Sequence, residues 1–213
     1  MRAALARAAG PTLVTAGAAL LVAGAATYTR TPPAVPPDVG SVPSAAAPGA
    51  PVPVHIYPSR RPRAVTGAVP VAVRLPGRPA ARVVPHGVAA NGELGLPQDV
   101  DRVGWWSGGA RAGQARGSLV LAGHVDGAGQ GTGAFAALRD LPVGARVTVT
   151  GADGRDRAYT VTGRRSHRKE ALPPEVFSLD VPARLVLVTC TGAYDPATRS
   201  YRDNLVVYAS PAA

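Results

Sequence analysis

Seven short apolar runs rich in β-branched residues, separated by turn residues, constrain the fold of this chain more than any other feature. They span residues 68–75, 81–88, 117–124, 145–153, 157–165, 183–190 and 204–210. Runs of this length are typical of β-strands, and the 25 glycines and 22 prolines disfavour long helices. The spacing therefore predicts a mainly β fold, a closed or curled barrel of about seven to eight strands.

Local patterns add one hairpin and two short helices to this expectation. The stretch VTVTGADGRDRAYTVT (147–162) alternates on both sides of Asp153-Gly154, which indicates a tight hairpin turn. Short helical segments are expected only near residues 133–140 and 173–177.

The N-terminus carries an uncharged stretch of 22 residues between Arg7 and Arg30. This is close to the roughly 20 residues that a membrane-spanning helix needs. Arg2 and Arg7 precede it, so the positive-inside rule places the N-terminus in the cytoplasm and the rest of the chain outside. We expect residues 1–30 to be a single-pass anchor in the cell membrane. A cleaved signal segment is the competing interpretation.

The part of the chain that is expected to be exported has two regions of different composition. Residues 31–63 are rich in Pro and Ala and lack periodicity, which is typical of a semi-extended linker. Residues 64–213 contain all the strand-like runs and are predicted to be the folded, extracellular domain.

The charge pattern argues against nucleic-acid binding. The net charge is +10, and 22 of the 23 basic residues are arginines, but they are scattered, with RRPR at 60–63 the densest cluster. Without a basic helix or interleaved aromatic residues, a solvated basic surface or attraction to an anionic cell envelope is the simpler interpretation.

Three residues at strand ends could form a reactive site. His124 ends the run 117–124, Cys190 ends the run 183–190, and Arg202 precedes the last run. If the last two strands are antiparallel neighbours and strand 117–123 runs parallel to strand 184–189, all three side chains meet at one rim. This pairing of the strands is assumed, because the sequence does not show it.

The chemistry of these residues favours nucleophilic catalysis. Cys190 is the only cysteine of an exported chain, so it cannot form an internal disulfide. An imidazole can deprotonate or pair with a thiol and then protonate a leaving amine, and a guanidinium can stabilise an oxyanion. A small, buried core cysteine is the rival interpretation.

The remaining histidines and the tryptophan pair favour structural roles. We expect Trp105 and Trp106 to pack in the barrel as a pair. The other three histidines lie in the linker, at a strand–turn position and in the loop-like RRSHRKE, where structural or solvated roles are expected: His55, His86 and His167.

Several motifs in order resemble one known family. LAGHVDG (121–127), LVTC (187–190) and TGAYDPATRSYRDNLVVYA (191–209) are similar to the histidine, cysteine and arginine motifs of sortases, most of all the class F enzymes of actinobacteria. The stretches 83–113 and 131–149 are similar to that class as well, so the resemblance covers residues 66–210. One departure is Val186, where the TLxTC motif has threonine.

The resemblance implies a sortase-type β-barrel and a reaction. Cys190 would attack the Thr–Gly bond of an LPxTG-like sorting signal on an exported protein, and a thioester would form. An amine of a cell-wall precursor or another protein would then resolve it. His124 would be the acid/base and Arg202 the stabilising cation, with Arg199 as a competitor for that role. No metal or organic cofactor is needed, and no acidic cluster supports a calcium site.

Two residues near the proposed site, Thr189 and Asp126, each have two interpretations. Thr189 could contribute to substrate binding beside the thiol, or be an ordinary β-branched strand residue. Asp126 could influence the His124 imidazole, or only end a turn.

Two other functions remain open. An exported cysteine hydrolase would use the same site with water in place of the amine. A membrane-tethered β-barrel module that binds wall polymers would keep Cys190 buried and inert.

Overall fold

The computed structural model describes residues 35–42, 67–87 and 95–213. The strands in these ranges are β1 (Val39–Gly40), β2 (Pro70–Arg74), β3 (Ala81–His86), β4 (Val103–Trp106), β5 (Ser118–Gly123), β6 (Asp126–Gly127), β7 (Gly131–Thr132), β8 (Arg146–Gly151), β9 (Asp156–Arg168), β10 (Arg184–Asp195) and β11 (Ser200–Pro211). Three short 3₁₀ helices accompany them: Ala136–Asp140, Lys169–Ala171 and Pro174–Phe177.

Eight of these strands close into a barrel. Their order is β9-β11-β10-β5-β4-β3-β2-β8, and β8 returns to pair with β9. The predicted mainly β barrel with few, short helices is confirmed. Strand β4 falls outside the predicted runs because its four residues, VGWW, are too short to show alternation; pairing with β3 and β5 determines it instead.

The hairpin predicted at Asp153-Gly154 is confirmed. Strands β8 and β9 pair antiparallel from Arg146 opposite Thr160 to Thr150 opposite Asp156. Gly154 adopts a φ of +74°, a conformation that glycine adopts without a steric penalty.

Strand β10 is buried on both faces, which explains its continuous apolar sequence. Leu185 and Leu187 belong to the core cluster inside the barrel, whereas Val186 and Val188 belong to a second cluster outside it. Leu172 and Phe177, from the connection between β9 and β10, pack against this outer cluster. Alternate residues of β10 therefore face the barrel interior and the covered outer surface.

The last two strands are longer than the sequence predicts. The expected loop 191–201 shortens to residues 196–199, because β10 continues to Asp195 and β11 begins at Ser200. Tyr194 pairs with Tyr201 across the strands, and their rings meet edge to face with centroids 5.2 Å apart. The hairpin that carries Arg202 is thus a strand ladder for most of its length.

Part of the predicted linker 31–63 lies within the described residues. Strand β1 pairs antiparallel with β9 at Arg164 and Gly163, and Arg165 donates hydrogen bonds of 2.8 Å to the carbonyls of Val39 and Gly40. Strand β8 pairs with β9 only from Asp156 to Thr160, and β1 covers β9 further along, at Gly163 and Arg164. After residue 42 the described residues resume at 67. The predicted boundaries of the linker, at residues 31 and 63, therefore stay predictions.

The predicted anchor or signal segment 1–30 lies outside the described residues. Among the helices that are described, none has both the length and the apolar character to cross a membrane.

Candidate active site

The pairing of β10 brings the predicted nucleophile and imidazole to one rim. Strand β10 runs parallel to β5, with Val188 opposite Ala122. Continuing this register by two residues sets Cys190 level with His124, which directly follows β5. The assumed parallel pairing is therefore confirmed, as is the antiparallel pairing of β10 with β11, which sets Cys190 opposite Asn204.

Cys190 is half-buried and faces a groove on the outer side of the barrel. The groove has a volume of about 420 Å³. Its apolar lining consists of Leu96, Ala122, Leu172, Phe177 and Val188. Its polar lining includes Lys169, Glu170, Ser200 and Asn204. The thiol thus lies where an extended, partly apolar ligand could reach it.

The strand bends directly after the thiol. A β-bulge separates the pair Thr191–Asp203 from the pair Tyr194–Tyr201. Gly192 lies in it with a φ of +80°, and a Cβ atom there would collide with the Asp203 carboxylate. Glycine is therefore required at this position, where the bulge redirects the hairpin past the groove.

Opposing effects act on the Cys190 thiol. Burial raises its pKa, and the Lys169 ammonium opposes this rise through its charge and a hydrogen bond. The Asp126 carboxylate adds a smaller upward effect. Burial dominates, so the pKa of the thiol lies above its ordinary value and the neutral form prevails at pH 7.

The His124 ring is held by the backbone. Its Nε2 atom lies 2.8 Å from the Pro97 carbonyl oxygen, and its own carbonyl accepts a hydrogen bond from the Phe135 N–H. Because a carbonyl oxygen only accepts, Nε2 carries a hydrogen in this arrangement. The imidazole is therefore oriented before any ligand arrives, with Nδ1 as its second nitrogen.

Arg202 and Arg199 occupy different surroundings. Arg202 is exposed and lies on β11 two residues from both Ser200 and Asn204, which line the groove. Its side chain leaves the strand on the same face as theirs. Arg199 lies in the turn, exposed, with a φ of +53°. A hydrogen bond from the Ala197 N–H, aided by the charge of Arg202, lowers the pKa of Asp195.

Thr189 is buried, and its hydroxyl donates a 2.8 Å hydrogen bond to the Gly123 carbonyl. This bond ties β10 to the end of β5, one residue before both Cys190 and His124. Thr189 also lines both the groove and the small cleft beside Cys190, and its role in substrate binding stays a prediction.

Asp126 contacts the β10–β11 hairpin. Its carboxylate accepts a 2.5 Å hydrogen bond from the Tyr201 hydroxyl. Burial and this bond raise the pKa of Tyr201 to about 12, so the phenol remains a donor. Both residues line a small cleft of about 110 Å³ on the other side of Cys190. This bond connects β6, which begins two residues after His124, to the strand that carries Arg202.

His167 is not in a loop, contrary to the interpretation of RRSHRKE. It lies in β9 opposite Asn204, which is itself opposite Cys190. The expected loop is wrong because β9 extends for 13 residues, supported by β11 along one edge. Lys169, directly after this strand, was missed as a site residue. Its one signal in the sequence is that it is the only lysine among 23 basic residues.

The tryptophans divide between the two clusters. Trp105 is buried in the barrel core and donates a 3.2 Å hydrogen bond to the Ala110 carbonyl. Trp106 packs on the outer cluster, edge to face with Phe177 at 5.1 Å between ring centroids. Because Phe177 lines the groove, Trp106 packs against one of the groove-lining side chains.

Comparison with known proteins identifies the family. Residues 78–212 match the sortase domain. The fold is similar to sortase C-1 from Actinomyces oris (19% identity, 67% of this chain and 73% of that one, TM-score 0.53). It is also similar to sortase C2 of pilus island 1 from Group B Streptococcus (19% identity, 70% and 76%, TM-score 0.51).

Sortase A from Corynebacterium diphtheriae shares the fold as well, at 18% identity and a TM-score of 0.50. The match covers 68% of this chain and 61% of that enzyme. No curated protein sequence matches the chain. Because the sortase domain match spans well over half of the residues, the chain belongs to the sortase family.

Proposed function

We propose that this chain is a membrane-anchored cysteine transpeptidase that acts on an LPxTG-like sorting signal. The position of Cys190 supports the proposal most. Its half-buried thiol faces a groove, and the parallel pairing of β5 and β10 sets it level with His124. A buried, inert cysteine would not open onto a groove. Residues 1–30 would hold the domain at the outer face of the cell membrane, with the N-terminus in the cytoplasm.

The reaction would begin when His124 accepts the thiol proton of Cys190 and the sulfur attacks the threonine carbonyl carbon of the Thr–Gly bond. The carbonyl π electrons move to oxygen, and the guanidinium of Arg202 stabilises the resulting oxyanion. The tetrahedral intermediate collapses, the C–N bond breaks, and His124 protonates the departing glycine amine. A thioester on Cys190 and a free C-terminal fragment result.

The second half would regenerate the enzyme. An incoming amine attacks the thioester carbonyl, His124 accepts a proton from it, and the C–S bond breaks as the new amide forms. The exported protein is then joined to a cell-wall precursor or to another protein. Motif similarity to class F enzymes of actinobacteria, in LAGHVDG and YRDN, supports assignment to that class.

The direct test supplies the full-length chain in detergent with an LPxTG-type peptide and an amine acceptor such as triglycine. We expect a ligated peptide whose yield rises with acceptor concentration, measured by mass spectrometry. Cleaved peptide without ligation at every acceptor concentration would identify a hydrolase and overturn the transpeptidase proposal.

Substituting the two arginines in parallel assigns the stabilising cation. We expect Arg202→Gln to lower the ligation rate by about 10²- to 10³-fold, the usual effect of removing one oxyanion donor. Arg199→Gln is the matched control, since it removes the same charge three residues away and leaves a non-glycine residue at the left-handed position. A large loss in Arg199→Gln with normal activity in Arg202→Gln would reverse the assignment.

A further inference from the structure

We propose that Lys169 is the counter-ion that favours ionisation of the Cys190 thiol, and that Ser200 holds it in place. This inference rests on the proposed function and adds a residue to its machinery. The Lys169 ammonium would stabilise the thiolate when it forms, while Arg202 remains available for the substrate oxyanion.

The topology brings Lys169 to the groove. It directly follows β9, whose last residue, Arg168, pairs with Asp203 of β11. Strand β11 in turn pairs with β10, so a residue just beyond β9 lies two strands from Cys190. Lys169 and Cys190 line the same groove.

Ser200 fixes the ammonium at the groove. The Lys169 Nζ atom donates a 2.6 Å hydrogen bond to the Ser200 hydroxyl oxygen, and that hydroxyl donates a 3.4 Å bond to the Tyr201 carbonyl. Ser200 is the first residue of β11 and also lines the groove. A long, flexible side chain anchored in this way loses less entropy when it pairs with a second group.

The charges around the thiol make this cation useful. Burial disfavours the thiolate, and so does the Asp126 carboxylate from the cleft side; the Lys169 charge and hydrogen bond oppose both. Glu170 also lines the groove, and Arg139 and Tyr201 line the cleft. His124 is level with Cys190 when the β5–β10 register is continued, and His167 and Arg202 lie on the same face of the sheet as Cys190.

Lys169 and Arg202 would therefore have separate tasks. Arg202 is exposed, and its charge is felt by Asp195 in the β10–β11 hairpin. Lys169 is partly buried and acts on the thiol itself. When the thiol ionises, its proton passes to His124 or to solvent, and the ammonium keeps its three hydrogens. The electron pair left on sulfur is the one that attacks the substrate carbonyl.

The pH dependence of alkylation tests this role without any substrate. The full-length protein in detergent is treated with iodoacetamide over a range of pH, and labelling of Cys190 is followed by mass spectrometry. We expect Lys169→Met to move the midpoint of the rate profile upward by about one pH unit, a tenfold loss of rate at pH 7. Lys169→Arg should restore most of the wild-type profile.

Two further variants keep the test decisive. Ser200→Ala removes the anchor and leaves the charge, so a smaller upward shift is expected, and it can be read even if Lys169→Met does not fold. Arg146→Met is the matched control, because it removes an exposed basic charge outside the groove and is expected to leave the midpoint near that of the wild type.

The result that overturns the proposal is a common midpoint for the wild type, Lys169→Met and Ser200→Ala. Because alkylation needs neither peptide nor amine, this failure is distinct from a failure of the ligation assay. A chain that ligates but has a Lys169-independent profile would refute only the counter-ion. A chain with the Lys169-dependent shift and no ligation would refute only the transpeptidase.

Discussion

Cys190→Ser is expected to abolish ligation, with a loss of at least about 10³-fold, because the serine hydroxyl does not ionise near neutral pH and is a far weaker nucleophile. The substitution replaces one atom of a half-buried residue that lines the groove. The barrel core lies on the other face of β10, so the free energy of unfolding should change little. Ligation of an LPxTG-type peptide to triglycine measures the effect.

Two controls separate chemistry from folding. Thermal unfolding of Cys190→Ser should match that of the wild type. Wild-type protein that has been fully alkylated should be as inactive as the variant. In the absence of amine, mass spectrometry should detect an acyl adduct on the wild type and none on Cys190→Ser. Ligation by the variant at the wild-type rate would rule out a thioester on this residue.

The sequence could predict the rim of the site because its signals are local. Cys190 and His124 each end an apolar run, and the ends of neighbouring parallel strands lie together wherever the strands pair. The apolar sequence of β10 also indicated burial. Only the structure shows that its two faces belong to different clusters, because both faces carry apolar side chains.

The sequence could not predict which charges surround the thiol. Lys169 reaches the groove because β9 extends past Arg165 and pairs with β11, an interaction between residues about forty positions apart. RRSHRKE carries no apolar alternation by which such a strand could be recognised. The long-range pairing, rather than local propensity, determines its conformation.

The bond between Asp126 and Tyr201 was hidden for a similar reason. The two residues are 75 positions apart, and each lies in a short motif that has a plausible local explanation. The structure shows that their contact connects β6 with the start of β11. The sequence thus predicted which rim carries Cys190 and His124, but not the contacts around them.

His124→Gln is expected to lower the ligation rate by about 10²- to 10⁴-fold, the usual contribution of a general acid–base group. A glutamine side chain keeps an N–H donor that can reach toward the Pro97 carbonyl, so the loop should remain ordered. It cannot accept and release a proton near neutral pH. Both half-reactions need that proton transfer, so acylation by peptide and release to triglycine should slow together.

His86→Gln is the matched control for this prediction. His86 ends β3, as His124 follows the end of β5, but its described contacts are structural: its carbonyl accepts bonds from the backbone N–H and the hydroxyl of Ser107. Those bonds involve the backbone of residue 86, so glutamine should preserve them and leave the ligation rate unchanged. Equal losses in both variants would show a general effect of histidine removal on the barrel. A wild-type rate in His124→Gln would require another acid to protonate the leaving amine, and His167, on the same face of the sheet as Cys190, would be the next residue to substitute.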